Sequence, residues 1–193
     1  SEHANEAYNE LNQEQKDICQ SIFKTLTEKG GDNRGVRRPT PVYEIAEIAN
    51  TTADKVIDVV EHFRLPGRSF LAPAPPTILT EESVIDISHE SLMRIWDKLI
   101  VWVSEEYEAV QMYKRLADSA EKYQLGETAL WRPPDLLLAL SWRDKQKPTL
   151  TWAKRHHPAF ERTMVYLETS DREFKLEEEN KIKQQKRALR RTR

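Results

Sequence analysis

The sequence predicts a mainly α protein: three helices closed by a short β-hairpin, then an all-helical region ending in a long charged helix. Three observations carry this reading. Apolar residues recur at helical spacing over most of the 193 residues, as in Val56, Val59, Val60 and Phe63. Two short runs of strand character, SFLAP and SVIDIS, flank a proline-rich turn. Charged residues reach 32% against 38% apolar, and the basic ones crowd at the C-terminal end.

Taken in order, residues 1–10 are polar and read as a disordered lead. Residues 11–29 read as a helix with Ile18, Ile22, Phe23 and Leu26 on one face, ended by GGDNRG at 30–35. A short extended piece and a second helix follow, with Val42, Ile45, Ala46 and Ala49 on one side. Thr51 and Thr52 are good N-caps for a third helix over 51–65, which Pro66 and Gly67 stop. SFLAP and SVIDIS then form the hairpin. Three helices followed by a two-stranded hairpin is the plan of a winged helix, expected over 11–88.

A helical region is expected over 89–176. Leu92, Ile95, Trp96, Leu99 and Val103 give one stripe, and Ala109, Tyr113, Leu116, Ala120 and Tyr123 a second, ending at Gly126. Pro133 and Pro134 suit the first turn of the next helix, running through LLLALSW, and Pro158 opens the last. All five tryptophans lie in this half and are expected to anchor its core. Residues 177–193 read as a partly solvated helical tail leading out of the globule, acids first and bases after, the order a helix macrodipole favours. No repeat of solenoid period recurs.

The net charge is −2, so no overall basic field draws the chain to nucleic acid. The balance is uneven: residues 181–193 hold seven cations and no acid, leaving 23 cations against 32 acids, net −9, over residues 1–180. What this tail touches (nucleic acid, an anionic membrane or an acidic partner) charge alone does not choose. A lone cysteine, Cys19, cannot form an internal disulfide, and no apolar run has the length of a membrane span; a cytoplasmic setting is expected.

Catalytic signatures are absent from the residues. There is no HExxH, CxxC, EF-hand loop or GxSxG, His156 and His157 are adjacent and share no helix face, and Cys19 sits in a helical stripe as a small buried hydrophobe. Gly30 and Gly35 have the glycine spacing of a Walker A loop, but Val36 and Arg37 stand where Lys and Ser/Thr are required, and a helix precedes the segment. No catalytic residue and no metal ligand is therefore assigned. A DNA-reading third helix needs cations for the phosphates, yet helix 51–65 offers Asp54, Asp58 and Glu61 against Lys55 and Arg64. Only Arg34, Arg37 and Arg38 argue otherwise, so nucleic acid is not expected as a partner.

The most informative segment is VIDISHESLMRIW, residues 84–96. Here a strand hands over to a helix at Ser88–His89, placing an imidazole at a helix start beside a capping hydroxyl, a place suited to a phosphate. The whole run HFRLPGRSFLAP to VIDISHESLMRIW, with YKRLADSAEKY and LLLALSW after it, resembles the segment following the ATPase core of STAND proteins. These are signal-transduction ATPases with numerous domains, and the likeness is greatest to bacterial members; it spans roughly residues 11–190.

That resemblance implies a winged helix and helical linker joining an NTPase domain upstream to a sensor or repeat domain downstream. In related apoptotic and plant-immunity ATPases, a methionine-histidine-aspartate motif ends the winged helix, and its histidine contacts the β-phosphate of ADP in the closed state. Ser88–His89–Glu90 matches it with the histidine kept. The resemblance thus implies a regulatory, non-catalytic segment. His89 would meet ADP supplied with the NTPase domain, and no cofactor would be bound by this chain alone. The active parent would be able to oligomerise. Arg68 is expected as a structural hairpin arginine at a domain contact. Two other readings stay open: a DNA-binding winged-helix regulator with a helical dimerisation extension, and a purely structural protein-interaction adaptor.

Overall fold

A computed structural model describes residues 1–32 and 34–192. Asn33, in the GGDNRG loop, and Arg193, the last cation of the tail, lie outside the described residues. The protein is mostly helical, with small antiparallel sheets, and its chain divides into two compact units, Ser1–Val110 and Gln111–Arg193.

The first unit opens with α1 (Glu2–Asn9) and α2 (Gln13–Thr25). Asn12 caps α2 through a reciprocal box with Gln15, so the break between the two helices satisfies the free N–H groups it creates. The expected disordered lead over 1–10 is therefore corrected to a helix. Ala4 and Ala7 are fully buried, and small side chains at this spacing let α1 lie close to its neighbours without producing a strong apolar stripe in the sequence. The helix expected to reach residue 29 ends at Thr25. Thr27 turns its hydroxyl back to the Phe23 carbonyl at 2.8 Å, and β1 (Thr27–Lys29) pairs antiparallel with β2 (Gly35–Arg37), Glu28 opposite Val36.

β3 (Thr40–Pro41) leads into α3 (Val42–Ala49), which ends on Asn50 in the left-handed conformation, φ 52°. α4 (Ala53–Phe63) starts at Thr52, whose hydroxyl accepts from the Lys55 amide, and buries the expected stripe Val56, Val59, Val60 and Phe63. α2, α3 and α4 pack on one another. β4 (Leu71–Ala72) and β5 (Val84–Ile87) form the expected hairpin, with Leu71 opposite Ile87. β3 adds to the far edge of β5, giving the order β3-β5-β4. α5 (Leu92–Ile95) is a single turn, and α6 (Asp97–Gln124) begins two residues later and supplies side chains to both units.

The core of this unit is aromatic. Phe23 meets Trp96 edge-on at 5.1 Å and Phe63 at 5.3 Å, and Trp102 meets Trp96 at 5.3 Å and Tyr8 at 5.6 Å. Trp96 also donates its indole N–H to Asn5 at 2.7 Å, which ties α1 to the start of α6. Cys19 is fully buried, and desolvation pushes its thiol well above the ordinary range.

Two polar clamps complete the unit. Arg64 is 4% exposed; its guanidinium holds Glu61 through two bonds of 2.9 Å and donates to the carbonyls of Pro73, at 2.6 Å, and Thr77. One buried cation thereby shapes the proline-rich loop between β4 and β5. Arg68 lies in the turn after α4, ahead of the hairpin, and forks onto Glu10 at 2.9 and 2.6 Å; His62 Nε2 sits 3.0 Å from both Glu10 and the Ala7 carbonyl. Arg68 is structural, as expected, but it secures α1 within one unit.

In the second unit, α7 (Asp135–Gln146) follows Pro134, α8 (Leu150–Lys154) is capped by Thr149, and α9 runs Phe160–Arg191. Tyr113 of α6 stacks on Trp142 at 6.3 Å and 14° and meets Trp152 at 5.5 Å, while its hydroxyl donates to the His157 carbonyl at 2.8 Å. His157 Nδ1 in turn accepts from the Ala159 amide, so this histidine is occupied at the entry to α9. Along α9 the buried positions Thr163, Tyr166, Leu167 and Ser170 end at Ser170, and the remaining turns are mostly exposed.

Two outcomes test the clamps. Arg64→Met should lower unfolding free energy in urea by about 2–4 kcal/mol, because the Pro73 and Thr77 carbonyls lose their donor; a loss below about 1 kcal/mol would contradict the clamp. The hydrogen bond from Arg68 holds the Glu10 carboxyl below the usual range, with the Arg68 and His62 charges adding to it. The stability this contributes is complete above the unfolded-state value of about 4.3 and is lost as pH falls through that value toward the folded one. Glu10→Gln should therefore lower the urea midpoint at neutral pH, and the gap to the wild type should close below about pH 4.

Candidate functional site

The residues of interest follow from how β5 ends. Ile85 and Ile87 are fully buried while Val84 is 53% exposed, the alternation of a strand with one face on a core. Asp86 points away from that core to Arg37 at 3.3 Å, and Arg37 also donates to the Ile87 carbonyl at 3.1 Å. The sheet extends by one more bond, from the Ser88 amide to the Phe70 carbonyl at 3.0 Å.

Beyond it the chain turns tightly. The carbonyls of His89, Glu90 and Ser91 accept from Leu92, Met93 and Arg94. Leu92 and Met93 are buried, and Trp96 locks the far end into the aromatic core. His89 is left on the outside of this turn, exposed, and its ring makes no hydrogen bond or ion pair among the described residues.

The local geometry corrects two expectations. The helix does not start at Ser88–His89: α5 begins at Leu92, has four residues, and its N-cap position is Ser91, whose side chain makes no capping bond. An array that short lacks the aligned peptides of a macrodipole, so the anion-favouring helix start is not what distinguishes His89. Nor do Leu92, Ile95, Trp96, Leu99 and Val103 form one stripe. The backbone breaks to extended geometry at Trp96 (φ −99°, ψ 104°), which turns Ile95 out to 58% exposure.

Beside the turn lies a groove of about 610 Å³ between the end of the β1–β2 hairpin and α5, lined by Arg34, Gly35, Val36, Glu90, Met93 and Arg94 among others. Gly35 permits the close approach: a Cβ there would stand 3.0 Å from the Met93 sulfur. The groove carries both signs of charge. Arg34 pairs with Asp32 at 3.4 Å, and Glu90 lies 3.9 Å from both Arg37 and Arg94. These pairs are largely solvated, so each adds little stability, but together they leave no concentrated positive field for a phosphate. An exposed, unpartnered imidazole with an N–H to donate is what this surface offers chemically.

The DNA-reading alternative meets the same pairing. Lys55 is bonded to Glu14 at 2.6 Å and Arg64 is buried on Glu61, so the outward face of α4 keeps its acids. Arg38 pairs with Glu28 at 3.7 Å. The expectation that all five tryptophans anchor the core of the helical half is corrected: Trp96 and Trp102 are buried in the aromatic core of the first unit, Trp142 and Trp152 are buried against Tyr113 in the second, and Trp131 donates its indole N–H to Ser119 at 3.0 Å. No group of three or more His, Cys, Asp or Glu side chains among the described residues is placed to hold a metal ion, and no described helix is long and apolar enough to cross a membrane. The sequence does not reveal the approach of Gly35 to Met93, since that contact depends on a hairpin of two three-residue strands. The pattern GVR after a turn was its only signal.

Comparison with known proteins gives one finding. The model of the family Novel STAND NTPase 1 matches residues 1–129, two-thirds of the chain, which takes in α1 to α6 and the His89 turn. No curated protein and no solved structure matches the chain. The protein belongs to the Novel STAND NTPase 1 family.

Proposed function

We propose that this chain is a regulatory, non-catalytic segment of a cytoplasmic bacterial STAND ATPase. In this reading, residues 11–88 are a winged helix that closes on an NTPase domain upstream in its ADP state. The helical part, through 176 and into the tail, links to a sensor or repeat domain downstream. Family membership supplies the NTPase context. The order α2, α3, α4 and the β3-β5-β4 sheet supports the winged-helix reading.

The observation that carries the reading is the His89 side chain, exposed and unpartnered on a turn held from beneath by Ile87, Leu92 and Trp96. A turn fixed by buried neighbours and carrying an unpaired side chain is suited to a contact made across an interface. In the proposed mechanism, His89 donates a hydrogen bond to a phosphate oxygen of ADP bound in the other domain. ATP and ADP are the parent's ligands, and the residues that bind and hydrolyse nucleotide belong to that domain. A contact made in the closed state and absent in the open one gives ADP the differential affinity needed to shift the balance between them.

In the intact ATPase, His89→Ala should speed ADP release about ten- to a hundredfold, the loss of one charge-assisted hydrogen bond of roughly 1.5–3 kcal/mol. An unchanged release rate would refute the contact. The present chain alone should bind ADP weakly by calorimetry, and tight binding would contradict the division of labour between the domains.

A further inference from the structure

The last turns of α9 carry a one-signed charge pattern. From Lys181 to Arg191 there are six cations and, after Glu179, no acid. Lys181 pairs with Glu178 at 3.2 Å, whereas Lys183, Lys186, Arg187, Arg190 and Arg191 have no ion pair among the described residues. Ile182 and Leu189 in the same stretch are 49% and 68% exposed. At 100° per residue, seven positions bring Leu189 to within about 20° of Ile182, so the two apolar side chains share one line along the helix. Lys186, Arg190 and Lys183 follow at about 40°, 80° and 100° on one flank, Lys181 stands about 100° away on the other, and Arg187 and Arg191 lie on the far face at about 140° and 180°.

A solvated helix end explains this pattern poorly. Complementing the macrodipole needs cations in the last turn, which Arg190 and Arg191 supply. It needs neither four more cations one to two turns earlier nor an exposed apolar line between them. A nucleic-acid backbone would use the cations but not Ile182 and Leu189, and no aromatic side chain follows Phe174 to stack on a base. An anionic bilayer uses both. Apolar side chains enter the headgroup boundary, and flanking Lys and Arg reach lipid phosphates along their stems.

We propose that Lys181–Arg191 of α9 lie along the surface of an anionic lipid bilayer, with Ile182 and Leu189 turned into the headgroup region and the flanking cations on lipid phosphates. Glu177, Glu178 and Glu179 set the limit of the contact, since their charge keeps the preceding turns off the same surface.

The test is co-sedimentation of the whole chain with vesicles of phosphatidylcholine alone or with about a third phosphatidylglycerol. Partition should be at least about tenfold higher on the anionic vesicles and fall steeply with added salt. The variant carrying Lys181→Gln, Lys183→Gln, Lys186→Gln and Arg190→Gln should bind no better than to neutral lipid. Ile182→Gln with Leu189→Gln should lower anionic partition about tenfold, with no effect on any retention by duplex DNA. All these positions are exposed, and circular dichroism checks that the helix persists. Equal partition on both vesicles, binding that survives loss of the four cations, or indifference to the apolar pair would overturn the proposal. Tighter retention on duplex DNA than on anionic vesicles would reassign the surface to nucleic acid.

Discussion

The indole of Trp96 is held by Phe23 and Trp102 edge-on and by a hydrogen bond to Asn5, and on this anchor the geometry of the first unit depends. Trp96 closes the short segment that begins with Ile85 and Ile87 in the sheet, so residues 85–96 are fastened at both ends. Between two buried ends only a few residues remain to make the turn, and the chain exposes the middle of it. His89 is outside for that reason. Its exposure follows from core packing at its flanks, with no preference of its own required.

The same unit disposes of its cations in a consistent way. Arg64 is spent inside on Glu61 and two loop carbonyls, Arg68 on Glu10, Lys55 on Glu14, and Arg37 on Asp86. Of these the buried Arg64 matters most for stability, because losing the four hydrogen bonds of a buried guanidinium costs more than losing a solvated pair. What remains outward on α4 is acidic. That makes this face a poor neighbour for a nucleic-acid duplex, and it sets the first unit apart in character from the basic end of α9.

How far the sequence reveals this differs from element to element. α4 is legible because Val56, Val59, Val60 and Phe63 keep strict helical spacing behind an N-capping threonine. The β4–β5 hairpin is legible because turn residues separate two short strands. α1 is not, because it is held by single contacts from distant residues: Asn5 to Trp96, Tyr8 to Trp102 and Glu10 to Arg68. β1 and β2 are too short and polar to show a period, and they exist because they pair with each other. The break at Trp96 is hidden because an unbroken helix would give nearly the same apolar spacing. For the site, the place of His89 where β5 runs out is legible in VIDISHES, but the start of α5 at Leu92 is not, since Ser88 and Ser91 are equally plausible caps by type.

The proposed role of His89 requires its turn to be preset and outward, open to the proposed neighbouring domain. Acylation of histidine rings by diethyl pyrocarbonate, followed by mass spectrometry, reads this directly, with the exposed His3 ring as internal reference. In the isolated chain, His89 should react about as fast as His3; in the intact ATPase with ADP bound, its rate should fall about tenfold or more while that of His3 serves as the baseline. Equal His89 reactivity in the chain and in the ADP-bound protein would contradict the account.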